Sequence, residues 1–243
     1  MILSSAILGG VYPANGVVFD GTNDYISRTS SLTGIADGAV GLVSFWVKGA
    51  APGSSSDLLS AGTGAGEFIG FFFSATTGVA NFVLRRSTGA ICLSMESSSA
   101  ALDGSWHHVL AAWNTAADAS CKVYVDGSDV TTLSTRTANN IDYTVASWRI
   151  GAQINTANFK LAADVAELYF TTEWIDITSS ANREKFAKNG RPVSLGADGS
   201  KPTGTAPLLY LKGPASSFNT NRGSGGDFTV TGALTDSATR PSY

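Results

Sequence analysis

The sequence predicts an all-β protein, a sandwich of two antiparallel sheets with one short helix toward the C-terminal end. Three observations carry that expectation. About a dozen short runs rich in β-branched and aromatic residues recur along the chain, each bounded by Gly, Asn, Asp or Ser. Only one stretch has helical spacing. Charged residues make up 14% of the 243 positions, against roughly 25% in an average soluble domain. Ser, Thr, Asn, Gly and Ala, the residues of sheet surfaces and turns, take their place.

The chain opens with GVVFD (16–20) and DYISR (24–28), separated by an Asp-Gly turn signal. GLVSFWVKG (41–49) follows, and its alternation puts Val43, Phe45 and Val47 on one face and Leu42, Ser44 and Trp46 on the other. EFIGFFFS (67–74), ANFVLRR (80–86) and AICLSM (90–95) are the next runs; GTGAG (62–66) lies between strands and reads as a hairpin loop rather than a phosphate loop. Then come WHHVLAAWN (106–114), CKVYVDG (121–127), SWRIG (147–151) and KLAADVAELYF (160–170). The helix is expected at 179–190, with Ser179 or Ser180 as its cap, Lys185 and Lys188 near its C-terminal end and Gly190 as its stop. PLLYL (207–211) and DFTVTG (227–232) are the last strands. No internal repeat or long linker divides residues 16–243, so they read as one domain, with 176–206 a helix-containing surface connector.

Net charge is −3 and Lys and Arg are scattered singly, so no basic stripe is present to neutralise a nucleic-acid backbone. Cys92 and Cys121 lack metal-ligand spacing; they read as two buried free thiols, or as one disulfide if neighbouring strands bring them together. Residues 1–15 carry no positive leader segment and no run long enough to span a bilayer, so no membrane insertion is expected. Their apolar residues Met1, Ile2, Leu3, Ile7 and Leu8 read as an arm that docks on a partner.

Three segments carry a resemblance. VVFDGTNDYIS (17–27), DGSWHHVLAAWN (103–114) with KVYVDG (122–127), and FKLAADVAELYF (159–170) resemble the entry strands, central hairpin and late strand of laminin G-like domains. The resemblance implies a concanavalin A-like jelly roll. In that family LLYLKG- and FTVTG-type strands precede the FDG strand; here they stand at 208–236, so the chain reads as a circular permutant whose last strands complete the sandwich beside residue 16. Residues 181–232 are also similar to a tail on such domains in structural proteins of tailed bacteriophages.

His107 and His108 are the chain's two histidines. In a strand they point to opposite faces, so they cannot chelate one ion, and they read as scaffold. The resemblance implies that one ring bonds to nearby backbone. Asp164 and Glu167 are three apart, hence on opposite faces, and Glu167 and Glu173 are too far apart for the roughly 5–10 Å of a glycosidase pair, so no enzyme is expected.

Two binding readings remain open. Asp20, Asn23 and Asp24, with Asp164 and Glu167, offer hard oxygen ligands for one structural calcium, which the resemblance also implies. Alternatively Asp20 makes a turn with Gly21, and Asp164 bonds to backbone amides. Glycan contact would need exposed rings beside polar groups: Tyr12, Trp113, Tyr143 and Trp174, with Asn114, Asn139, Asn140 and Asp142 near two of them. Together these imply a non-enzymatic virion surface protein, made in the host cytoplasm, for capsid decoration or a head or tail fibre. It would dock on capsid or tail subunits, form a homo-oligomer such as a trimer and contact host glycan. The alternative is a secreted or cell-surface carbohydrate-binding module.

Overall fold

The computed structural model describes residue 12 and residues 14–63 and 66–243. The proposed arm residues Met1, Ile2, Leu3, Ile7 and Leu8 lie outside the described residues. The strands are β1 (Val17–Asp20), β2 (Tyr25–Arg28), β3 (Val40–Lys48), β4 (Ser56–Thr63), β5 (Gly66–Phe73), β6 (Val79–Arg85), β7 (Ile91–Ala100), β8 (Trp106–Asn114), β9 (Lys122–Val125), β10 (Ser128–Asp129), β11 (Thr131–Arg136), β12 (Ser147–Ile150) and β13 (Ala162–Thr171). After them come a helical turn α1 (Ser180–Arg183), then β14 (Ala187–Lys188), β15 (Arg191–Pro192), β16 (Leu209–Leu211), β17 (Thr229–Thr231) and β18 (Thr235–Asp236).

Two antiparallel sheets form the sandwich. Sheet A runs β10-β9-β8-β3-β13-β1-β18, with β16 also on β13; sheet B runs β11-β7-β6-β5-β4-β12-β2-β17. The C-terminal strands are part of both. Leu209–Leu211 pair with Leu168–Phe170, Thr229–Thr231 with Tyr25–Ser27, and Asp236 with Val17.

Alternation builds the core between the sheets. Val43, Phe45 and Val47 of β3 face Leu59, Phe71 and Phe82 of sheet B, as the pattern of β3 predicts. Phe170 stands among the rings of Phe71, Trp113, Tyr143 and Trp148, with centroids 5.7–6.5 Å away. Trp113 and Tyr143 are therefore core residues and not glycan platforms. Trp113 Nε1 donates to Tyr143 Oη at 2.7 Å, and that hydroxyl donates to the Val40 carbonyl at 3.0 Å, so both polar atoms are satisfied without water. Gly41 makes room for the indole, since a Cβ there would meet Trp113 Cζ2 at 2.5 Å. Cys92 and Cys121 are buried and unbonded.

Three local features depart from the sequence reading. The helix is a single turn. Asn189 and Gly190 both take positive φ, 52° and 68°, as a two-residue hairpin turn between β14 and β15 requires, while Phe186 is buried in the turn that follows the helix and Ala187 in β14. Secondly, β4 and β11 are strands that the pattern does not announce. Thirdly, strict alternation fails in β13. Val165 and Leu168 both face the core although three apart, because the register against β3 slips between Ala166 and Tyr169. Glu167 is the bulged residue, at φ 51°, and it joins Asp164 on the outer side.

The outer face of sheet A is covered by the chain itself. Tyr169, Leu42 and Leu110 pack under Ile177, Phe186, Leu195 and Tyr210. Tyr243 stacks on Trp46 at 5.5 Å, and Trp106 Nε1 donates to Thr239 Oγ1 at 2.9 Å. Among the described residues, sheet B has no comparable cover across its outer face.

Candidate functional site on the outer face of sheet B

Register partners share a face, so the outer face of sheet B can be read from the ladder. Glu96, Asn81, Phe72 and Asp57 follow one another across β7, β6, β5 and β4. The next outward row is Ser94, Val83, Gly70, Ser60, Arg149, Ser27 and Thr229. Between them Met95, Phe82, Phe71 and Leu59 point into the core. The outward rows are mostly hydroxyls, amides and charges interleaved with a partly exposed aromatic ring.

A buried acid pair sits within this face. Gly70 lacks a side chain opposite Ser60, and Glu67 fills that space; a Cβ on Gly70 would lie 2.9 Å from Glu67 Oε2. Ser60 Oγ donates to Glu67 Oε1 and accepts the Ile154 N–H at 2.9 Å. The 151–160 loop covers the pair, and the Asp57 N–H donates to the Phe159 carbonyl at 2.8 Å. That loop holds two non-glycine residues at positive φ, Ala157 (54°) and Phe159 (50°), a conformation that persists only where neighbours enforce it. Burial first, then the neighbouring Glu67 charge, pushes the Asp57 carboxyl up to about 8. Burial also raises Glu67, against the pull of Ser60 and Arg85. Among the described residues no donor reaches Asp57 Oδ2, so ionised it would be an unsatisfied buried charge, and burial beside Glu67 favours its protonated form.

Two clefts flank the β4–β5 turn. One, of about 510 Å³, is lined by Glu67, Phe68, Arg85, Ser87 and Thr88. The other, of about 200 Å³, is lined by Ser27, Arg28, Ser147, Arg149, Ile154 and Asn155. Donors and acceptors beside an aromatic ring can hydrogen-bond the hydroxyls of a polyhydroxylated ligand and pack against its C–H face.

The residues singled out from sequence lie elsewhere. Asp20 Oδ1 accepts the amides of Thr22, Asn23 and Asp24 at 2.7–3.3 Å, the Asx-turn alternative. Asp24 accepts the Ala233 N–H at 2.7 Å, and Asp164 accepts the Ser237 hydroxyl at 2.5 Å rather than a backbone amide. Glu167 is held by Tyr210 Oη at 2.7 Å and Tyr12 Oη at 3.1 Å, with Lys212 beside them. The five proposed calcium ligands thus do not converge, and among the described residues no three acidic, histidine or cysteine side chains gather to hold a metal. Tyr12 is committed to Glu167. Trp174 is 39% exposed and borders the 114–121 turn with Asn114, whose Oδ1 accepts the Ala116 N–H.

Both histidines are bonded inside the scaffold, to side chains rather than to backbone. His108 Nε2 meets Ser44 Oγ at 2.9 Å in full burial. His107 lies between Asp126 (Nδ1, 2.6 Å) and Asp103 (Nε2, 2.9 Å). Burial pulls the His107 pKa down, but the two carboxylates outweigh it and hold it above its usual 6.5. A raised histidine pKa stabilises fully below 6.5, and the contribution fades as pH rises through the folded value. The stability gap between the native protein and His107→Gln is therefore expected to be about 1–2 kcal/mol near pH 6 and to shrink above it. Urea unfolding at several pH values checks this; a gap that widens with pH would contradict it.

Residues 20–173 match the family model described as the concanavalin A-like lectin/glucanases superfamily. No curated protein matches the sequence. Among solved structures, a candidate carbohydrate-binding protein from Bacteroides ovatus has a TM-score of 0.63 at 10% identity, over 93% of this chain and 60% of its own. The native heptameric SAP-like pentraxin from Limulus polyphemus has a TM-score of 0.50 at 14% identity, over 68% of this chain and 79% of its own. A K499G mutant of NanB sialidase from Streptococcus pneumoniae has a TM-score of 0.50 at 12% identity, over 78% of this chain and 30% of its own. At such identities the likeness is one of fold.

Proposed function

Because the chain belongs to the concanavalin A-like lectin/glucanase superfamily, we propose that it is a non-catalytic carbohydrate-binding module whose ligand lies along the outer face of sheet B. The observation that carries this reading is the asymmetry of the two sheets. The outer face of sheet A is packed under the C-terminal third of the chain, whereas that of sheet B carries two polar clefts, one beside Phe68 and Arg85 and one beside Arg149. A fold shared with a candidate carbohydrate-binding protein is consistent with it.

Binding is favoured over hydrolysis by the state of the acid pair. Asp57 and Glu67 are hydrogen-bond neighbours beneath a loop and burial raises both carboxyls, whereas glycosidases hold theirs about 5–10 Å apart on either side of the sugar bond. A panel of immobilised polysaccharides is expected to retain the protein without releasing reducing ends. Phe68→Ala should weaken retention about tenfold, the loss of one stacked ring. Turnover that disappears in Glu67→Gln would overturn the non-catalytic part; failure to bind any polysaccharide would overturn the whole.

The setting we propose is a bacteriophage virion surface, on the resemblance of residues 181–232, with this face turned outward. Shallow clefts bind weakly, and repeated copies raise avidity without new contacts, which favours a homo-oligomer. Mass spectrometry of purified particles and light scattering of the isolated protein test the setting and the copy number.

A further inference from the structure

Resting on the carbohydrate-binding reading, we propose that the cleft between β2, β12 and β4 takes a carboxylated sugar, a uronic-acid-type residue whose carboxylate meets Arg149.

The charge at this cleft is unbalanced. Arg28 and Arg149 both line this cleft of about 200 Å³, and its lining contains no acidic side chain. Arg149 Cζ lies 4.7 Å and Lys160 Nζ 5.4 Å from the centre of the Tyr25 ring, so a third cation stands close by. Among the described residues the ion pairs are His107 with Asp103 and Asp126, Lys122 with Asp129, Arg136 with Asp118 and Lys188 with Glu184. Arg28, Arg149 and Lys160 are in none of them. Arg149 and Lys160, gathered at the Tyr25 ring with no ion-pair partner among the described residues, create a positive potential that an anion relieves.

The hydrogen bonds then separate the roles of the two arginines. Arg28 is spent on its surroundings: Nε donates to the Ser31 carbonyl at 3.1 Å, Nη1 to Asp227 O at 3.3 Å and Nη2 to Thr33 Oγ1 at 3.4 Å. As the register partner of the core residue Trp148 it points away from the face that carries Arg149. Arg149 uses Nη1 on the Gln153 carbonyl at 2.5 Å, but its Nε is buried with no partner among the described residues. A buried unpaired donor on a cation is costly, and a carboxylate is the planar acceptor that matches a guanidinium edge. Around it Ser27, Thr29, Ser147 and Asn155 offer neutral donors and acceptors for ring hydroxyls, and Ile154 an apolar contact. The volume suits one sugar ring, not a chain. Glu67 belongs to the neighbouring cleft, so a uronate here is not opposed by a carboxylate in the same lining.

The test is calorimetry of the full chain with matched oligosaccharides on glucan, mannan and galactan backbones, each neutral or oxidised at C6 to the uronate. On at least one backbone the uronate is expected to bind about tenfold tighter than its neutral twin, the yield of one charge-assisted hydrogen bond, and the difference should narrow in high salt. Ser147→Glu, at a part-exposed position in the lining, should bring uronate affinity down to that of the neutral twin or below it. Arg149→Lys, which keeps the charge and loses the fork, should reduce it, with unchanged thermal unfolding as the control for folding. Equal affinity within every pair would overturn this inference and leave the carbohydrate-binding reading standing. Displacement of the uronate by acetate or sulfate at equal concentration would overturn it also, marking a plain anion site. Binding to none of the six, nor to any polysaccharide in the broader panel, would remove both.

Discussion

Truncation after residue 205 is expected to leave no cooperatively folded domain. The deleted segment carries β16, β17 and β18, which pair with β13, β2 and β1, so one cut exposes edges in both sheets. It also removes Leu209, Tyr210, Leu211, Phe218 and Phe228, each no more than 4% exposed. At ~1.5–3 kcal/mol for burying each large apolar side chain, the loss is roughly 8–15 kcal/mol, the whole stability of an ordinary domain. Circular dichroism and urea unfolding of residues 1–205 check this. A truncated protein with a sharp transition at the native midpoint would show 206–243 to be an appendage. The converse variant should fold. Val17 is the register partner of Asp236, and the Ser237 N–H donates to the Gly16 carbonyl at 2.8 Å, so a short linker joining these ends, with the chain opened in the 194–206 loop, keeps every strand pair.

Most of the sandwich was legible because its strands alternate cleanly. β3 shows why: Val43, Phe45 and Val47 enter the core while Leu42 and Trp46 enter the smaller clusters outside sheet A, as the period of two requires. The failures share a cause, which is that a local pattern was overruled by tertiary cover. β4 reads SDLLSAGT and is buried on both faces, so it has no polar stripe to reveal its period. The bulge at Glu167 inserts one residue that no periodicity shows. At 179–190 helical spacing competes with the Asn-Gly turn signal, and the turn wins because Phe186 is drawn against Tyr169 at 5.3 Å.

The candidate site was less legible than the fold, for the same reason. Asp57 lies on the strand that the pattern hides, and Glu67 stands ten residues away across a turn, so no same-strand spacing links the two carboxyls. Gly70 was a readable signal in retrospect, since a glycine inside the aromatic run EFIGFFF marks a close approach by another group. Trp113 and Tyr143 show the opposite error. Aromatic residues near asparagines invite a glycan reading, but alternation along WHHVLAAWN already puts Trp113 on the face of Val109 and Ala111, which is the core face.

The same strand carries the other large expected effect. Acid should destabilise the protein through His108, by about 4 kcal/mol between pH 6.5 and pH 3. The ring is fully buried against Trp46, 5.1 Å between centroids, with Ser44 as its hydrogen-bond partner among the described residues. Burial lowers its pKa from 6.5 to about 3. As pH falls below 6.5 the unfolded chain binds a proton at His108 that the native state refuses, so stability is lost steadily until the folded value is reached. His107 works in the other direction, since its raised pKa leaves its contribution complete throughout that acid range. The two neighbours therefore separate in one experiment. Urea unfolding from pH 7 to pH 3.5 should show a falling stability that flattens in His108→Gln and persists in His107→Gln. Because the glutamine at 108 must still reach Ser44 and could cost the fold, the imidazole proton resonances of the native protein give a second reading. His108 should show no titration between pH 7 and pH 4, while His107 titrates above its usual 6.5. A His108 ring that titrates near 6.5 in the folded protein would place it in contact with water and refute its burial in the scaffold.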